Sequence, residues 1–158
     1  MPKQSSWSHR VLHPARTLVQ LMLRRPLVAA SVIPVLPDGQ IVLIRRQDTG
    51  LWGLPGGLVD WGETCQSAAK RELMEETGLV LTSVKRLVGV YSASRRDERF
   101  HSVCVAIAAS VDGTIGDFDP NEVIEVEAFS PEALPAEVLA HDHRQQLQDY
   151  FAGRTAIA

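Results

Sequence analysis

Glu72, Glu75 and Glu76 fall within five residues, preceded by Glu63 and by the pair Gly56-Gly57. Like charges at helical spacing repel by a few tenths of a kcal/mol per pair, so something must offset them. Turned by about 100° per residue from Cys65 at zero, Glu72 falls near 340°, Glu75 near 280° and Glu76 near 20°, on the arc of Ala68 and Ala69. Gln66, Ser67, Lys70 and Met74 take the opposite arc. A charge cluster is ordinarily a solvated helix face. Here the inward stripe itself turns acidic, and three converging carboxylates raise one another's pKa unless a cation neutralises them. All-oxygen, carboxylate-rich donors suit Mg2+, Mn2+ or Ca2+ rather than zinc.

Two supports for such a site stand nearby. Glu63 is eight residues before Arg71, beyond the reach of an i,i+4 pair, but a loop residue can fold back onto the helix. Glu63 either sits favourably at the helix N-terminus or holds Arg71 and the ligand carboxylates in place, and the second reading is preferred because metal ligands need orienting partners. Gly56 and Gly57 allow close approach of a ligand to the main chain, which makes the Gly56 carbonyl a further candidate ligand.

The elements that would position these groups are readable. Residues 27–36 and 41–44 are apolar runs around Pro37-Asp38-Gly39-Gln40, the pattern of a buried hairpin. Residues 54–57 read as a short strand closing into the glycine turn. Residues 64–77 contain neither Gly nor Pro, and Gly78 stands where a helix C-cap is expected. Residues 84–91, 102–110 and 123–129 read as strands. Ser130-Pro131 opens a short helix, and Asp142 is expected to cap a last helix reaching Phe151. Strands interleaved with helices predict one α/β domain with a mixed sheet.

Composition leaves few partners. The 158 residues are 45% hydrophobic, enough for one sizeable core, and a formal charge of −3 implies no nucleic-acid surface. Cys65 and Cys104 lack metal-type spacing and are expected as reduced thiols, and no apolar run approaches a bilayer span, so a soluble, cytoplasmic protein is expected. The first 37 residues carry Lys3, Arg10, Arg16, Arg24 and Arg25 but no acid. That bias also occurs in transit peptides, yet Val11, Leu12, Ala15, Leu18, Val19 and Met22 follow helical spacing. Residues 1–26 are therefore read as a basic extension with a helix, and 27–158 as the domain.

Residues 57–79 resemble the signature of the Nudix hydrolases: Gly, five residues, Glu, seven residues, then Arg-Glu-apolar-any-Glu-Glu-any-Gly-apolar. Gly57, Glu63, Arg71, Glu72, Leu73, Glu75, Glu76, Gly78 and Leu79 fill every fixed position. The resemblance implies a Nudix-type α/β/α sandwich with a mixed β-sheet. It implies hydrolysis of the pyrophosphate bond of a nucleoside diphosphate linked to X, with Mg2+ or Mn2+ on the helix. Carried over, Glu72, Glu75, Glu76 and the Gly56 carbonyl would ligate metal, with Glu63 and Arg71 supporting them. The general base is either a box glutamate or a later acid. Glu122 is preferred over Glu125, because alternation puts Glu122, Ile124 and Val126 on one face and Val123, Glu125 and Glu127 on the other.

The substrate is expected to be a small nucleotide, such as the nucleotide sugar ADP-ribose. A nucleoside triphosphate pyrophosphatase and a non-catalytic nucleotide sensor on the same fold are the alternatives, and a homodimer is left open. The ADP-ribose hydrolases often carry a proline past the box and the dinucleoside polyphosphate hydrolases a tyrosine, where this chain has Ser92-Ala93-Ser94-Arg95-Arg96. Arg45, Arg46, Arg95 and Arg99 are candidate phosphate or ribose ligands. Trp52 and Tyr91 could stack a base, although core packing is the commoner role. His141-Asp142-His143 is set aside as a metal site, since Asp142 is accounted for as a cap, and His101 reads as a strand end.

Overall fold

The computed structural model describes residues 25–136 and 139–158; the helix expected around residues 11–22 lies outside the described residues. Eight strands form one mixed sheet: β1 (Leu27–Val35), β2 (Ile41–Arg46), β3 (Trp52–Gly53), β4 (Gly56–Leu58), β5 (Val80–Tyr91), β6 (Ser102–Asp112), β7 (Val123–Phe129) and β8 (Ala156–Ile157). The main path runs β3-β2-β1-β6-β5-β8, with β4 added to β1 and β7 to β2. Helix α1 (Cys65–Thr77) covers one face and α2 (His143–Phe151) the other.

Alternation along β1 and β6 supplies both cores. Ala30, Val32, Ile107, Ala109 and Val111 pack with Ala68, Ala69 and Leu73 of α1. Ala29, Ile33, Cys104, Ala106 and Ala108 pack with Leu139 and with Leu147 of α2. The layers are those of the α/β/α sandwich that the resemblance implies, around the mixed sheet that the strand pattern predicts.

The expected hairpin is only partly one. β1 and β2 pair at Val35↔Ile41 and then diverge. On its other edge β1 runs parallel to β6 from Leu27↔Ser102 to Val35↔Ser110, while β2 pairs with β7. The divergence admits β4, whose Gly57 faces Ala30 of β1. It also leaves a cleft beside the C-terminal end of β2.

Helix α1 starts and stops on local chemistry. The Thr64 hydroxyl accepts from the Ser67 N–H at 3.1 Å, and Gly78, at φ 76°, returns its N–H to the Met74 carbonyl at 2.9 Å. Helix α2 departs from expectation: Asp142 makes no capping bond. Its carboxylate instead takes two bonds from Arg96, both at 2.9 Å, and one from the Gln146 amide. A charged bidentate partner outcompetes a neutral backbone N–H.

Candidate functional site

Carboxylate oxygens of Glu72, Glu76 and Glu122 approach within 4.8 Å of one another. Two come from successive turns of α1. The third comes from the residue before β7, where the Glu122 carbonyl accepts from the Gln47 N–H at 2.9 Å and so is tied to the end of β2. Glu76 is only 5% exposed, with one oxygen accepting the Gly56 N–H at 2.8 Å. Burial, reinforced by the charges of Glu72 and Glu122, pushes its carboxyl up to about 8 despite that bond. Burial also raises Glu72, more than Arg71 lowers it.

Glu72 is held tightly. Arg71 Nη1 donates to Glu72 at 2.7 Å, while Arg71 Nε and Nη2 fork onto Glu63 at 2.9 Å each. The bond to Arg71 keeps the Glu63 carboxyl at about 2. Behind Glu72 the main chain leaves no room: a Cβ on Gly57 would stand 2.3 Å from Glu72 Oε1, and one on Gly56 would stand 2.3 Å from the Ala30 carbonyl. The two glycines therefore let β4 lie between β1 and the acids.

Glu75 stands apart from this trio. Its carboxylate is exposed, takes a 3.3 Å bond from Arg71, and borders a second depression with Asp117, Asp119 and Glu122. The buried arc of α1 also includes Leu73 and Thr77, near 80° and 120° on the same wheel, so Glu75 near 280° sits at its edge.

The acids open on a cavity of about 410 Å3 whose far wall carries Arg46, Asp48, Arg99 and Phe100. Arg46 forks onto Asp48 at 2.9 and 2.7 Å, and Arg99 reaches the same carboxylate at 3.4 Å. Arg95 borders a neighbouring cavity with Asp97 and His141. Arg45 points elsewhere, donating to the Gly50 carbonyl and pairing with Glu125 at 3.5 Å. A bulge between Arg45 and Arg46, opposite Glu125 and Val123, separates their surroundings. Trp52 and Tyr91 are core residues: Trp52 packs edge-on against Phe129, and the Tyr91 hydroxyl donates to Asp149. Phe100, which sequence reasoning missed, is the aromatic at the cavity wall. Arg96 and Ser102 were also missed, and their position becomes legible only once β1 and β6 are paired.

Among the described residues no helix is long and apolar enough to cross a membrane. The NUDIX domain family model matches residues 25–150. A Methanocaldococcus jannaschii protein named ADP-ribose pyrophosphatase is 40% identical over 130 residues, covering 80% of this chain and 73% of that one. The crystal structure of a MutT NUDIX hydrolase from Burkholderia pseudomallei matches at 32% identity with a TM-score of 0.70, covering 79% of this chain and 98% of that one. The NUDIX domain of Shewanella oneidensis NrtR, solved with ADP ribose, shares the fold with a TM-score of 0.73 at 23% identity, covering 88% and 97%. With the complete signature on α1 and a match over most of its length, this chain belongs to the Nudix hydrolase family.

Proposed function

We propose that the chain hydrolyses the pyrophosphate bond of a nucleoside diphosphate linked to a second group, with a nucleotide sugar such as ADP-ribose as the substrate and Mg2+ or Mn2+ as the cofactor. The observation that carries this reading is the convergence of Glu72, Glu76 and Glu122 on a cavity walled by Arg46 and Arg99. The name of the archaeal relative supports the choice of substrate.

The residues present fit a hard divalent cation. The donor set is all oxygen, and burial has left Glu76 poorly able to ionise unless a positive charge joins it. Glu72, Glu76 and the Gly56 carbonyl would hold the ion, with the Glu122 carboxylate beside it, and the ion when bound would neutralise pyrophosphate charge and acidify water.

The chain's own residues do the rest. Arg71 and Glu63 fix the Glu72 rotamer, and the Gly56 N–H fixes Glu76. Arg46 and Arg99 exchange Asp48 for phosphate oxygens and orient the anhydride. Glu122, the exposed member of the trio, takes the proton from the attacking water. Glu75 sits one step out, sharing Arg71 with Glu72. Water adds across the P–O–P bridge, and the products are two phosphate monoesters.

The test is a panel of nucleotide sugars, dinucleotides and nucleoside triphosphates incubated with Mg2+ or Mn2+, with products separated by ion exchange. AMP and ribose 5-phosphate from ADP-ribose are expected. Pyrophosphate released from triphosphates, with nucleotide sugars left intact, would transfer the activity to the triphosphate class.

A further inference from the structure

Two arginines on the far wall of the cavity would suit a polyphosphate, but acids of the same wall cancel their charge. Arg46 forks onto Asp48 through Nε at 2.9 Å and Nη2 at 2.7 Å, and Arg99 Nη1 reaches the same carboxylate at 3.4 Å. Asp97, whose side chain is nearly buried, takes three further bonds from Arg99. A phosphate chain entering the cavity therefore meets Arg46 and Arg99 already balanced by Asp48 and Asp97.

Asp48 is not free to leave. It sits in the short turn between β2 and β3, which is closed by the Arg46 N–H on the Leu51 carbonyl and the Gly50 N–H on the Arg46 carbonyl, both at 2.9 Å. The Gln47 N–H beside it is tied to the Glu122 carbonyl at 2.9 Å. The side chain is exposed, and the bond from Arg46 holds its carboxyl below the ordinary aspartate value, so it is ionised at neutral pH. A phosphate oxygen that takes Arg46 from this carboxylate leaves the carboxylate at the wall, still charged.

Asp48 also stands between two cavities. Together with Arg99 it borders both the one above the acids and the neighbouring one that Arg95 borders. A third phosphate reaching toward Arg95 has to pass it. In the other direction, beyond Glu122, the adjoining depression holds Glu75, Asp117 and Asp119. A phosphate chain lengthened either way meets carboxylates.

We infer that Asp48 is a specificity-determining residue that limits the substrate to a chain of two phosphates, yielding Arg46 to a diphosphate while its carboxylate repels a third phosphate. This rests on the reading that the site hydrolyses a nucleoside diphosphate derivative, and it supplies a reason for triphosphates to be refused. The residue acts by repulsion rather than by contact: each further phosphate sets another negative charge beside one that the turn holds in place. Attraction to the cation and the arginines alone would give the opposite preference, because a triphosphate carries the greater charge.

The full chain tests this by kinetics at fixed free Mg2+, with ADP-ribose and ATP as substrates. The wild type should favour ADP-ribose in kcat/KM. Asp48→Asn keeps an acceptor for Arg46 but not the charge, and should raise kcat/KM for ATP relative to ADP-ribose at least about tenfold, mainly through KM. Asp48→Glu restores the charge on the same turn and should restore the preference, which a merely structural role would not do. A measurement on the wild type needs no substitution: as inhibitors of ADP-ribose turnover, ADP should bind more tightly than ATP. An unchanged ratio in Asp48→Asn, an Asp48→Glu protein that behaves like Asp48→Asn, or tighter binding of ATP than of ADP to the wild type would overturn the inference, while turnover of ADP-ribose left the proposed activity standing. A wild type that released pyrophosphate from ATP and left ADP-ribose intact would remove both.

Discussion

Removing the negative charge of Glu76 should flatten the pH dependence of stability in the metal-free protein. The Glu76 carboxyl rises from 4.5 to about 8 because the folded chain buries it beside Glu72 and Glu122. Between those values the folded state holds a proton that the unfolded state has released, so stability is full below about 4.5 and declines as pH rises through about 8. At about 1.4 kcal/mol per pH unit the whole interval is worth ~5 kcal/mol, and the span from pH 6 to 8 roughly 2 kcal/mol, since the slope halves at the folded pKa. For a chain of this length that is a fall of roughly 4–8 °C in Tm. The assay is thermal and urea unfolding in EDTA at half-unit steps from pH 6 to 8.5, for wild type and Glu76→Gln. The amide keeps an acceptor for the Gly56 N–H and has no charge to desolvate. The variant should retain only the smaller slope from Glu72, which is raised in the same direction. Saturating Mg2+ should remove the wild-type slope, since the ionised carboxylates then have a partner. Parallel curves for the two proteins in EDTA would refute the placement of a costly charge at Glu76.

Other substitutions address the geometry around it. Gly57→Ala drives a methyl into the Glu72 carboxylate and should weaken Mg2+ activation at least tenfold, read as the half-saturating Mg2+ concentration; an unchanged value would count against Glu72 as a ligand. Glu63→Gln should weaken activation about 10- to 100-fold by freeing Arg71, read in the same titration. Glu63 is depressed to about 2, so its contribution to stability is present above the ordinary glutamate range and lost as pH falls through about 2; the acid limb of a Tm profile should shift in the variant. Glu122→Gln should lower kcat by more than about a hundredfold and Glu75→Gln by less than about tenfold. The reverse order in a single-turnover measurement would move the base to Glu75.

The acidic helix was legible because its information is local. Thr64, Gly78 and the repeat of small residues define α1 without help from elsewhere, and the 3.6-residue period aims Glu72 and Glu76 inward. Glu75 sits at the limit of that method, since Leu73 and Thr77 set the centre of the buried arc and only packing reveals them. Glu122 could be anticipated from its place at a strand end. The strand partners could not: turn residues between β1 and β2 advertise a hairpin, but β4 takes the edge of β1 that β2 leaves after one pair, and β6 lies along the other edge. Asp142 reads as a cap from its neighbours, yet its partner Arg96 lies 46 residues away. His143 is fixed by Gly53 and by a backbone N–H 89 residues distant, so nothing in its local sequence sets its tautomer.

The ladder between β1 and β6 also governs when the cleft can exist. Ala29 faces Cys104 across it, some 75 residues along the chain. By loop-closure entropy this pairing costs roughly 2 kcal/mol more to initiate than the Pro37–Gln40 turn. Helix α1 can assemble from nearby sequence, but the pocket walls await a strand synthesised long afterwards and a final helix later still. An emerging nascent chain therefore carries the complete acidic signature well before it has anywhere to put a nucleotide.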